Sequence, residues 1–109
     1  MSPTHSPEQG SRINLDELLA KITVGSHTQV TTPRMVEFIV RFIETAITSD
    51  RGFGWVLMAD DGPDGRTVRV LVTSATPVVV DWPAGYEPFT EPNEMVDDLL
   101  ANPADFGIH

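Results

Sequence analysis

The sequence predicts an α+β domain in which a small antiparallel sheet of about three strands packs on a long central helix, with two short helices beside it. Three β-branched and aromatic runs follow one another between residues 53 and 82. Strands that come in one block, rather than alternating with helices, are typical of this class. The helical patterns lie outside that block, so the predicted order is helix, helix, strand, strand, strand, helix. The 109 residues suffice for one core, and we expect a flexible tail over residues 1–11 and a single domain over residues 12–109.

The first helix is predicted over residues 15–22. Asn14 and Glu17 have the spacing of a capping box, and apolar residues then recur at helical spacing. Gly25 would end this helix. The polar, β-branched residues 26–32 are interpreted as a loop, with a short edge strand as the alternative.

The second helix is predicted over residues 33–49, because Thr32 can cap it and Pro33 suits its first position. Its polar residues fall in an arc roughly 100° wide, whereas its apolar residues cover roughly 200°, about twice what a surface helix buries. The polar arc contains Arg34, Glu37, Arg41, Glu44, Thr45 and Thr48. This helix is therefore either enclosed within the domain or shared with a second copy, and we expect a homodimer.

Strands are predicted at residues 53–59, 67–73 and 76–82. The first two flank a turn rich in Asp and Gly, which indicates an antiparallel hairpin. Trp55 lies within the first run and is interpreted as a core residue. After a loop that holds three prolines, Asn93 is expected to cap a last helix over residues 94–101.

The residue inventory supplies no catalytic, cofactor or metal site. The chain has no cysteine, its three histidines lack the spacing of zinc ligands, and it has no nucleophile elbow or phosphate-binding loop. A net charge of -9 opposes direct binding to nucleic acid. No apolar run is long enough to cross a membrane, and the first twelve residues do not resemble a secretory signal. A cytoplasmic protein without cofactors is expected.

The charge is distributed unevenly. Residues 1–69 hold nine acidic and seven basic side chains, whereas residues 70–109 hold seven acidic side chains and no lysine or arginine. An acidic segment with exposed aromatic anchors could bind a basic protein, since charge speeds association and aromatic side chains hold a complex. The candidate partner-binding residues are Trp82, Tyr86, Phe89, Glu91, Glu94, Asp97 and Asp98. The competing interpretation is that the acids are ordinary solvated surface and that Trp82 packs in the core.

These features favour a small, non-catalytic protein that acts by protein–protein interaction, as an inhibitor, an immunity-like factor or an adaptor. One alternative is a dimeric peptide- or ligand-binding module of the secretion-chaperone type, which a long apolar groove would support. A further alternative is a small enzyme with an unmarked carboxylate site, which convergent carboxylates in a pocket would support.

Overall fold

The structure, a computed structural model, describes residues 18–59 and 65–108, and its fold is α+β. The elements in chain order are β1 (Ala20–Val24), β2 (His27–Thr31), α1 (Pro33–Ile47), β3 (Phe53–Ala59), β4 (Thr67–Thr73), β5 (Val78–Asp81), α2 (Glu94–Ala101) and a 3-10 helix (Pro103–Phe106). The α+β class and the antiparallel pairing predicted from the sequence are confirmed. The expected N-terminal tail and the capping box lie outside the described residues.

The strands form two sheets rather than one. One sheet has the order β2-β1-β5 and the other consists of β3 and β4, and every pairing is antiparallel. The last strand does not extend the β3–β4 hairpin, as a single sheet would require. It pairs instead with β1, so that Lys21 lies opposite Asp81.

The predicted first helix is wrong in the part that the structure describes. Ala20–Val24 is the central strand of its sheet, and Ala20, Ile22 and Val24 are buried on one face. These buried residues recur at every second position, as in a strand, whereas the leucines before them recur at helical spacing. The strand forms because β1 pairs with a strand on each of its edges. Gly25, with φ of 61°, turns a hairpin instead of ending a helix, because a left-handed φ suits a two-residue connection. The predicted order is therefore wrong at its first element.

The stretch interpreted as a loop is also a strand. His27–Thr31 pairs with β1 along its whole length, which confirms the alternative of a short edge strand. It is polar because it lies at the edge of its sheet, where little of it is buried.

The long helix has the predicted start, and its apolar arc packs against other elements of the same chain. The Thr32 hydroxyl accepts a hydrogen bond from the Met35 amide at 3.3 Å, and Pro33 occupies the first turn. Its nine apolar residues belong to two hydrophobic clusters, which also contain side chains of both sheets, α2 and the C-terminal segment. These nine are Met35, Val36, Phe38, Ile39, Val40, Phe42, Ile43, Ala46 and Ile47. The homodimer stays a prediction, but the width of the arc no longer requires it.

The β3–β4 hairpin is confirmed, with Trp55 opposite Leu71. Gly54, Val56 and Met58 face α1, and this alternation turns Trp55 outward. The expectation that Trp55 is a core residue is wrong, since its side chain is 48% exposed. An unbroken apolar run does not reveal which face of a strand is buried.

The last helix is confirmed as Glu94–Ala101, and the Asn93 side chain accepts hydrogen bonds from the Met95 and Val96 amides. No helix within the described ranges combines the length and the apolar character that crossing a bilayer requires.

Candidate functional site

The three aromatic residues predicted to bind a partner form one cluster. Trp82 stacks on Tyr86 at 5.6 Å between ring centroids and meets the edge of Phe89 at 6.0 Å. Trp82 and Tyr86 are half-buried, and Trp82 also packs against the main core. The cluster therefore fixes the anchor loop, which is the connection over residues 82–93 between β5 and α2.

A buried carboxylate holds the anchor loop against α1. Glu37 is only 2% exposed, and its Oε2 accepts hydrogen bonds from the Tyr86 hydroxyl and from the Phe89 amide, the latter at 2.8 Å. Its Oε1 accepts from Asn93 Nδ2 at 3.0 Å. Both carboxylate oxygens are thus bonded, as a buried charge requires.

Asn93 connects three elements. Its amide donates to Glu37 and to the Arg34 carbonyl, each at 3.0 Å, while its Oδ1 caps α2. Arg34 in turn donates from Nη2 to the Pro92 carbonyl at 2.9 Å. The polar stripe of α1 is therefore a docking surface for the anchor loop in its N-terminal half, rather than the solvated face that its composition suggests.

The electrostatics of Glu37 favour its ionised form. Burial alone would raise its pKa, but the hydrogen bonds from Phe89, Tyr86 and Asn93, together with the charge of Arg34, lower it below its ordinary value. Burial and the hydrogen bond to Glu37 raise the pKa of Tyr86. A general acid would need a raised carboxyl pKa, so this carboxylate is suited to holding the loop as an anion.

An acidic groove of about 510 Å³ opens beside the anchor loop, between α1 and α2. Phe89, Val96 and Leu100 supply its apolar walls, and Glu44, Glu91 and Asp97 surround it. Phe89 is 38% exposed, and the Arg41 guanidinium lies 4.0 Å from its ring centroid. Arg41 is also paired with Glu44 at 2.9 Å.

Phe89 has an unusual backbone conformation, with φ of 63°. The left-handed region is costly for a large side chain, by the order of 1 kcal/mol. The hydrogen bond from its amide to Glu37 holds it there, and this turns the ring toward the groove.

The seven predicted residues are only partly brought together. Phe89, Glu91 and Asp97 line the acidic groove, whereas Glu94 and Asp98 are exposed on α2 outside it. Within residues 18–59 and 65–108, none of the four predicted acids, Glu91, Glu94, Asp97 and Asp98, forms an ion pair. Sequence reasoning missed Glu37, and only the density of prolines and aromatics in the loop indicated that something must fix it.

In the part of the chain that the structure describes, no group of three or more His, Asp or Glu residues could hold a metal ion. Comparison of the chain with protein-family models, with curated proteins and with solved structures finds no significant match.

Proposed function

We propose that the protein is a non-catalytic interaction factor, such as an inhibitor, an immunity-like factor or an adaptor, that binds a basic protein partner in the acidic groove. The carrying observation is the groove itself, which places unpaired carboxylates beside exposed apolar side chains. An arginine or lysine of the partner would lay its aliphatic stem on Phe89 and Leu100 and its charge near Glu91 and Asp97.

This proposal revises the roles of the three aromatics. Trp82 and Tyr86 are engaged with the core and with Glu37, so they support the site instead of contacting the partner. Phe89 is the exposed ring of the three, with the Arg41 guanidinium over one of its faces. Its strained backbone is consistent with a residue held for recognition. The absence of cysteine suits a reducing compartment, and we place the interaction in the cytoplasm.

The proposal predicts that the two acids in the groove matter more than their two neighbours on α2. The groove variant is Glu91→Gln with Asp97→Asn, and the matched control is Glu94→Gln with Asp98→Asn. Both remove two charges, and each removes one acid from the first turn of α2, so their effects on the helix are comparable. We expect the groove variant to weaken binding by roughly tenfold and the control by less than threefold.

The measurement begins with affinity capture from the native host to identify the partner. Titration calorimetry then gives the dissociation constant at low and high salt for each variant, with circular dichroism to verify folding. The groove variant should also reduce the salt dependence of binding. If the fourfold variant that combines all the substitutions binds with unchanged affinity and unchanged salt dependence, these acids are ordinary solvated surface.

A second candidate function, that of a peptide-binding module, is supported by a different observation. An apolar trough lies along the edge of β3 that does not pair with β4, away from the acidic groove.

A further inference from the structure

Strand β3 has one edge paired with β4, and its other edge pairs with no strand, although β2 lies beside it at Ala59. The Ala59 amide donates to Gln29 Oε1 at 3.0 Å, so it points away from β4. Main-chain groups alternate in direction along an antiparallel strand, and the N–H and C=O groups of Trp55 and Leu57 therefore point the same way. Within residues 18–59 and 65–108, no hydrogen bond uses these groups of Trp55 or Leu57.

An apolar trough follows this open edge. It has two adjoining parts of about 330 and 400 Å³, which share Phe42, Trp55, Leu57 and Phe106. Phe38 and Phe42 of α1 form its floor, and Phe106 of the 3-10 helix packs on Phe38 at 5.8 Å. The trough thus combines free hydrogen-bonding groups with apolar space, which is the arrangement that strand addition uses.

Two arginines give the β3 trough a basic character on an otherwise acidic protein. Arg51 lies at the corner between α1 and β3, and Arg69 extends from β4 over β3, with its guanidinium carbon 5.4 Å from the Trp55 ring centroid. Among the described residues, the trough has one acidic lining residue, Asp105, on the side of the 3-10 helix. The positive charge therefore lies toward the outer face of the hairpin.

We propose that the open edge of β3 binds an extended segment of a partner protein, which adds a third strand to the β3–β4 sheet. Its inward side chains would be apolar and pack on Phe38 and Phe42. Its outward side chains would be acidic and lie near Arg51 and Arg69. Because inward and outward positions alternate along a strand, the recognised sequence alternates apolar and acidic residues.

Charge and area favour this occupant over a second copy. A second copy pairing through the same edge would bring the same two arginines into the interface, where like charges repel. The apolar outer face consists mainly of Phe53, Trp55, Leu57 and Leu71. It amounts to roughly 300–400 Å², about half of what each partner of a stable protein interface buries. A short segment, which gains main-chain hydrogen bonds, needs less area.

The test uses four synthetic eight-residue peptides. The first alternates leucine and glutamate, and the second has lysine in place of glutamate. The third and fourth are the leucine–glutamate peptide with backbone nitrogens methylated at the leucines or at the glutamates. Fluorescence anisotropy of labelled peptides gives the dissociation constants, and amide hydrogen exchange reports on Trp55 and Leu57.

We expect the leucine–glutamate peptide to bind at least tenfold more tightly than the lysine peptide and to protect the Trp55 and Leu57 amides. Only one of the two methylated peptides should lose binding, because only alternate residues of an added strand face β3. Arg51→Gln with Arg69→Gln should weaken binding roughly tenfold. Leu57→Glu should abolish it, whereas Val79→Glu should not, although both residues are 63% exposed.

Three results would overturn the proposal. The first is no binding at millimolar peptide. The second is equal binding of the two methylated peptides or of the acidic and basic peptides. The third is a dimer in light scattering whose Trp55 and Leu57 amides are already protected, which would show that a second copy occupies the edge. None of these results bears on the acidic groove, so the two proposals fail independently.

Discussion

Replacing Glu37 by alanine is expected to lower the free energy of unfolding by about 3 kcal/mol and to release the anchor loop. The substitution removes the acceptor of three hydrogen bonds. It leaves the Tyr86 hydroxyl and the Phe89 amide without their partner, and it removes one of the two acceptors of the Asn93 side-chain amide. Buried donors that lose an acceptor cost more than the bond itself was worth, and a charged acceptor increases the effect. The expected loss is therefore a large fraction of the stability of a small domain.

Urea denaturation measures this loss, and Glu44→Gln is the matched control. Glu44 is an acid on the same helix, but it is exposed and takes part only in a surface ion pair, so its replacement should cost at most about 1 kcal/mol. Hydrogen exchange should show faster exchange at the Phe89 amide in Glu37→Ala and no change there in Glu44→Gln. Equal losses in the two variants would contradict the anchoring role of Glu37.

The same network predicts a dependence on pH with a defined sign. The pKa of Glu37 is lowered in the folded protein, so the stability that this carboxylate contributes is present above its ordinary pKa of 4.5. It is lost as the pH falls through the lower folded value. The difference in stability between the wild type and Glu37→Gln should therefore be largest near neutral pH and should shrink on acidification.

Tyr86 titrates with the opposite sign. Its pKa is raised in the folded protein, so its contribution is complete below its ordinary pKa of 10.0 and is lost as the pH rises above that value. Tyr86→Phe should differ from the wild type by a constant amount near neutrality and by less in alkali. Urea midpoints measured across the pH range test both residues, and parallel curves for wild type and variants would contradict the network.

The elements that could be predicted from the sequence are those with local chemical signals. Thr32 and Pro33 mark the start of α1, Asn93 marks the start of α2, and the Asp- and Gly-rich turn marks the β3–β4 hairpin. In each case a side chain or a backbone preference acts on its immediate neighbours. The exposure of Glu91, Glu94, Asp97 and Asp98 could likewise be predicted, because charged side chains lie mostly at the surface.

The missed features depend on distant partners. β1 is a strand because β2 and β5 pair with it on both sides, and its own pattern is ambiguous between two periods. Glu37 is buried because the anchor loop, 45 or more residues later in the chain, covers it. Trp55 is exposed because α1 takes the other face of β3. A local sequence pattern does not reveal these three features, because each depends on contacts with an element that is distant in the chain.

Both proposed surfaces depend on how closely α1 approaches its neighbours. On one side, Glu37 brings the anchor loop to α1 and so shapes the acidic groove. On the other side, Gly54 lets β3 approach α1, which brings Trp55 and Phe42 into the β3 trough. Changes at these two positions should therefore affect the surfaces through the backbone, without altering any exposed side chain.

Gly54→Ala is accordingly expected to lower the free energy of unfolding by about 2 kcal/mol. A Cβ at this position would lie 2.6 Å from the Ala46 Cβ and 3.9 Å from the Ala46 Cα. The Cα of Ala46 is part of the helix backbone and its Cβ is bonded directly to that Cα, so neither atom can move aside as the end of a long side chain would. Gly54 is not among the glycines with positive φ. Without the contact to Ala46, alanine would stabilise the protein by restricting the unfolded chain. The contact is therefore the reason that we expect the free energy of unfolding to fall.

A double-mutant cycle with Ala46→Gly isolates that contact. Ala46→Gly alone should cost about 1 kcal/mol, because glycine is unfavourable within a helix. In the Gly54→Ala background the same change also removes the atom that the new Cβ meets, so the double variant should be more stable than the sum of the two losses predicts. Urea denaturation gives the coupling energy, which we expect to be about 1–2 kcal/mol. Strictly additive losses would show that the close approach of β3 to α1 does not limit the residue at position 54.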